Sequence, residues 1–103
     1  MEKLRTKEFT SKDLFNASAS TPIKEVVDQE IEVSAICVAD RLTGDTVGYI
    51  KATDGTIYAT ISETVIDQLS PLADMVESGE RPTIKTIARQ SNGGRTYYQL
   101  QLI

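Results

Sequence analysis

Tyr49, Lys51 and Tyr58, followed by Lys85, Arg89, Arg95 and Tyr97, are the side chains of this sequence whose types and spacing suit binding chemistry. An aromatic ring gives a nucleobase a face to stack on, worth ~1–3 kcal/mol per base and indifferent to base identity. A lysine or arginine beside it neutralises phosphate. Rings and cations interleaved on one solvated strand face therefore make a platform for a single strand of nucleic acid.

The elements that must position these residues are two hairpins. In Tyr49-Ile50-Lys51-Ala52-Thr53-Asp54-Gly55-Thr56-Ile57-Tyr58 the dipeptide Asp54-Gly55 suits a two-residue type I′ turn, in which both central residues take positive φ. That register pairs Lys51 with Tyr58 and Ile50 with Ala59. It predicts a core face of Ile50, Ala52, Ile57, Ala59 and Ile61, and a solvated face carrying Tyr49, Lys51 and Tyr58. In the second hairpin, 83–89 and 95–103 flank Ser91-Asn92-Gly93-Gly94. A three-residue loop of Asn92, Gly93 and Gly94 pairs Arg89 with Tyr97, Lys85 with Gln101 and Ala88 with Tyr98. Lys85, Arg89 and Tyr97 then share a face with Gln99 and Gln101, and Tyr98 belongs to the core with its hydroxyl at the rim.

Three further elements complete the chain. The run Ile31-Glu32-Val33-Ser34-Ala35-Ile36-Cys37-Val38 begins as an alternating strand and ends apolar on both faces, as a long strand does when it bends to serve two layers. Residues 62–78 repeat apolar positions at helical spacing, Val65, Ile66, Leu69, Leu72, Ala73 and Val76, behind Ser62 as cap and Gly79 as stop. Pro71 is expected to break or kink that helix. Upstream, Thr21-Pro22-Ile23 reads as the start of one or two helical turns. Residues 1–20 read as a weakly structured arm, with Thr10 or Ser11 able to cap a short helix, and 21–103 as the domain.

Composition narrows the function. With no His and one Cys, Cys37 in an apolar strand, neither a zinc site, an internal disulfide nor a thiol nucleophile with its base is expected, and no cofactor is implied. The carboxylates form no acid–base pair, so catalysis is not expected. No apolar run is long enough to cross a membrane and no signal peptide is visible, which predicts a cytoplasmic protein without a membrane partner. The formal net charge is −4, yet residues 63–80 hold five acids and no base while residues 81–103 hold four bases and no acid. Where a polyanion docks is decided by such local fields.

Long strand, hairpin, helix, hairpin is the order of the OB-fold, a mainly β, five-stranded Greek-key barrel with one helix between its third and fourth strands. An SH3-like barrel would leave the helix without a place. OB-folds bind on their second and third strands and on the loops joining strands one to two and four to five; those loops hold Arg41, and Arg89 with Arg95. Ile31-Glu32-Val33, Thr53-Asp54-Gly55 followed by Tyr58, Ile61-Ser62, and Asn92-Gly93-Gly94-Arg95-Thr96-Tyr97-Tyr98 also resemble the small single-stranded-DNA-binding proteins of protein-primed, linear-genome bacteriophages. The resemblance runs from about Ile23 to Ile103. It implies sequence-independent coating of single-stranded DNA during replication, replication proteins as further partners, and roles for Tyr58, Arg95 and Tyr97. Recruitment through an acidic, apolar-tipped tail, as in bacterial single-stranded-DNA-binding proteins, is not expected, since the sequence stops within its last strand. An edge after Ile103 could pair two copies into a homo-oligomer. The competing reading is an OB-fold adaptor for a protein partner, which the acidic pI of about 4.7 suits.

Overall fold

A computed structural model describes residues 2–103. The chain is mainly β, a curled open sheet resembling half a barrel, with two α-helices. Its strands are β1 (Glu2–Arg5), β2 (Thr21–Pro22), β3 (Glu30–Asp40), β4 (Thr46–Ala52), β5 (Ile57–Thr60), β6 (Thr83–Gln90) and β7 (Thr96–Leu102); the helices are α1 (Ser11–Asn16) and α2 (Glu63–Glu77). The strand order is β2-β5-β4-β3-β6-β7, with β1 on the free edge of β3. Its end strands β2 and β7 do not pair, so the curl leaves a mouth.

The bend in β3 makes the curl. Glu30–Glu32 pair with β6, whereas Val33–Asp40 pair with β4, and the register slips between Val33 and Ala35. Ser34 occupies that bulge and donates its hydroxyl to the carbonyls of Lys51 and Ala52, at 3.2 and 3.3 Å. A bulge sharpens the twist of a strand, which lets β3 serve both halves of the sheet.

Inside the curl lies the main core, closed by α2. Ser62 Oγ accepts from the Val65 amide at 3.4 Å, and the helix buries Val65, Leu69, Leu72, Ala73 and Val76 against the sheet. Each of the valine and leucine side chains, fully buried, stabilises by ~1.5–3 kcal/mol. The expected break at Pro71 does not occur: the helix runs through it with Pro71 on the exposed side, where water can serve the carbonyl that loses its donor. Gly79 follows at φ +96°.

Residues 2–20 are more ordered than their polarity suggests. β1 pairs with Cys37–Ala39, and Thr6 prolongs the ladder by exchanging two 2.9 Å hydrogen bonds with Ile36. Thr10 and Asp13 form a reciprocal capping box on α1. Phe9, 1% exposed, fills a second core with Ala35 and Cys37 on the outer face of β3. The segment after Thr21 also differs from the expected helix start. Thr21 and Pro22 pair in parallel with Tyr58 and Ala59, and only Ile23–Val26 turn, as a 3₁₀ helix.

Three hairpin loops share one geometry. Gly44, Gly55 and Gly94, at φ +95°, +92° and +77°, donate to the carbonyls of Arg41, Ala52 and Ser91 at 2.9–3.0 Å. Each loop thus has three residues with glycine last. The second hairpin has the register expected, Arg89 with Tyr97 and Ala88 with Tyr98. The first does not. Its loop is Thr53-Asp54-Gly55, so Ile50 pairs with Tyr58 and Lys51 with Ile57. A type I′ turn would hold Asp54 at positive φ, which costs an L-residue ~1–2 kcal/mol, and the three-residue loop asks positive φ only of Gly55.

Candidate nucleic-acid interface

That one-residue slip reverses β5. Tyr58, expected on the solvated face, is 6% exposed and lies in the main core, its hydroxyl accepting from Gln29 Nε2 at 3.3 Å. Ile61, expected in the core, is 67% exposed. Tyr49 and Lys51 do occupy the outer face, but the N-terminal segment covers it. The Phe9 and Tyr49 rings stack with centroids 6.2 Å apart and planes at 27°. Lys51 Nζ lies 2.9 Å from Asp13 Oδ2. Burial works to raise the Asp13 carboxyl; the Thr10 amide and the Lys51 ammonium together outweigh it and hold the group below the ordinary carboxylate range. The platform of Tyr49, Lys51 and Tyr58 is therefore not an open surface.

The remaining candidates stay together on the second hairpin. Arg89 and Arg95 are exposed at its tip, with Arg89 Nε donating to Gln99 Oε1 at 3.0 Å. Tyr97, 37% exposed, stands opposite Arg89. Lys85 lies further down, half-buried, at a strand position flanked by Gln101 on one neighbouring strand and Glu30 on the other.

An open cleft of about 540 Å³ fills the mouth of the sheet. One wall is Thr96, Tyr97 and Tyr98 of β7; the other is Pro22, Ile23 and Lys24 with Ala59, Thr60 and Ile61. Arg41, from the β3–β4 loop, also lines it. The lining carries two cations, two tyrosines and no carboxylate, in a chain that has fifteen acids. Tyr98 is half-buried, as a rim residue should be, and packs against the main core. Lys24 and Ile61 are the site residues that sequence reasoning missed. Lys24 arrives through the parallel pairing of Thr21–Pro22 with β5, for which no local pattern exists.

The β7 wall also offers main-chain groups. Ser91 donates to the Arg95 carbonyl at 2.8 Å and Ile103 to the Thr83 carbonyl at 2.9 Å, so odd-numbered residues of β7 bond to β6. By the alternation of antiparallel ladders, the N–H and C=O of Thr96, Tyr98 and Leu100 face outward. Leu100 is closed by Gln68 of α2, whose Oε1 accepts from the Leu100 amide at 2.7 Å and whose Nε2 donates to its carbonyl at 2.9 Å.

No family model matches the chain, and no curated protein or solved structure matches it. Among the described residues, no helix is long and apolar enough to cross a membrane, and no group of three or more His, Cys, Asp or Glu is placed to hold a metal ion.

Proposed function

We propose that the chain is a single-stranded-DNA-binding protein built as an OB-type barrel, and that the strand lies in the mouth cleft and not across the outer face of β4 and β5. The single observation that carries this reading is the cleft lining: cations and rings without one carboxylate, on a protein whose net charge is −4. A polyanion avoids most of such a surface and is drawn to an acid-free hollow. Tyr97 supplies a stacking face, Arg41 and Lys24 reach phosphates at the rim, and Arg89 and Arg95 extend the basic track along the hairpin. The strand order from β3 to β7, with α2 between β5 and β6, supports the OB assignment, and the cleft lies beside the loops such barrels use. Binding by stacking and phosphate contact is sequence-tolerant, which suits protection of single strands during replication, in the bacteriophage setting that the sequence resemblance implies.

The test is titration of a labelled oligo-dT by fluorescence anisotropy at increasing salt. Binding that weakens with salt, by about 0.7 in the log–log slope per phosphate neutralised, is the expected result. An oligonucleotide that stays free at low salt overturns it. The adaptor reading draws on the apolar part of the lining, Pro22, Ile23, Ala59 and Ile61, and predicts a partner whose binding salt does not weaken.

A further inference from the structure

Among the described residues, the open edge of β7 carries an unpaired hydrogen-bonding pair at the cleft wall, and its neighbour displays what such a pair accepts. At Leu100 the outward N–H and C=O are bridged by the planar carboxamide of Gln68, one donor and one acceptor side by side. Two residues along, ~7 Å away at strand spacing, Tyr98 presents the same pair. The cleft is lined by Tyr98.

Resting on the proposal that the cleft takes a single strand, we infer that the Tyr98 main-chain N–H and C=O hold one nucleobase by its donor–acceptor edge. Every base carries an array like that of a carboxamide: N3–H and O4 of thymine, N1–H and O6 of guanine, N4–H and N3 of cytosine, N6–H and N1 of adenine. In a single strand these edges are unpaired and available. The contact fixes a base without choosing among the four, in keeping with sequence-tolerant binding, and Tyr97 next to it gives a ring on which the same strand can stack. A peptide adding itself as a strand fits less well. It needs successive pairs along the edge and meets Gln68 at Leu100, whereas a base needs one pair only. Lys24 and Arg41 at the rim also favour a ligand with phosphates.

The experiment compares oligo-dT with an oligonucleotide of equal length in which every thymine is N3-methylated, using the full chain at low salt. Methylation removes the donor and keeps rings and phosphates. The expected result is a loss of affinity of about tenfold, together with slowed hydrogen exchange of the Tyr98 amide when unmodified oligo-dT is added. Equal affinity for the two overturns the inference and leaves binding in the cleft standing. A Tyr98 amide that exchanges as fast with oligo-dT as without it also overturns it. If neither oligonucleotide binds, the inference falls together with the function on which it rests.

Discussion

The Phe9 ring lies on the Tyr49 ring, centroids 6.2 Å apart, and so gives Tyr49 the aromatic contact that a nucleobase would otherwise make. Asp13 does the same for Lys51, offering a carboxylate where a phosphate would sit. The N-terminal segment is thus part of the fold, and it covers the outer face of β4 at Tyr49 and Lys51, while the mouth of the sheet stays open.

Phe9→Ala should destabilise the protein by ~3–5 kcal/mol, because it empties a buried aromatic site in the second core. Urea unfolding measures this. A loss below ~1 kcal/mol would mean that the segment is a detachable arm.

The Asp13 carboxyl is held below its ordinary value of 3.8 by the Thr10 amide and the Lys51 ammonium against the opposing effect of burial. Its contribution to stability is complete above that value and is lost as pH falls below it, through the lower folded-state value. Asp13→Asn should therefore flatten the acid side of the stability–pH profile below about pH 4. Parallel urea unfolding of both proteins across that range checks it; identical slopes would contradict the pairing.

At Gly48, α2 packs directly on β4. A Cβ there would come 2.5 Å from Leu69 Cδ1, and Leu69 is fully buried with nowhere to move. Gly48→Ala should cost ~1–3 kcal/mol through overpacking, read as a lowered thermal midpoint.

Thr86 is fully buried, and its Oγ1 has no hydrogen-bond partner among the described residues. Thr86→Val keeps the shape and removes a desolvated hydroxyl, so stability should rise by ~1 kcal/mol. A raised thermal midpoint is the expected reading, and a lowered one would show that the hydroxyl is satisfied.

Most of the architecture is legible from local pattern. Asn92-Gly93-Gly94 announces its loop length, and the second hairpin follows in register. The apolar run Ile31–Val38 announces a bent, doubly packed strand, and Ser62 with Gly79 brackets α2. The first hairpin misleads for two physical reasons. Asp54-Gly55 serves equally as a two-residue turn or as the end of a three-residue loop, and β5 is at least partly covered on both faces, so its alternation of Ile57 and Ala59 does not mark the inside. Tyr58 is then free to fill the core. Phe9 gives no signal because it is one aromatic residue among polar ones; its burial depends on the outer face of β3, far away in sequence. The cleft has the same origin. Lys24, Arg41 and Tyr97 come from three separate elements, and only the failure of β2 and β7 to meet brings them around one hollow.

The most direct measurement of the central claim is the affinity for oligo-dT of two variants beside the parent chain, Arg41→Ala/Tyr97→Ala in the cleft and Lys51→Ala on the covered face. The expected result is at least a tenfold loss and a salt slope smaller by about 0.7 for the first, from one stacking and one phosphate contact removed, with a change under about twofold for the second. A cleft variant that binds like the parent, or a Lys51→Ala variant that loses binding while remaining folded, would contradict it.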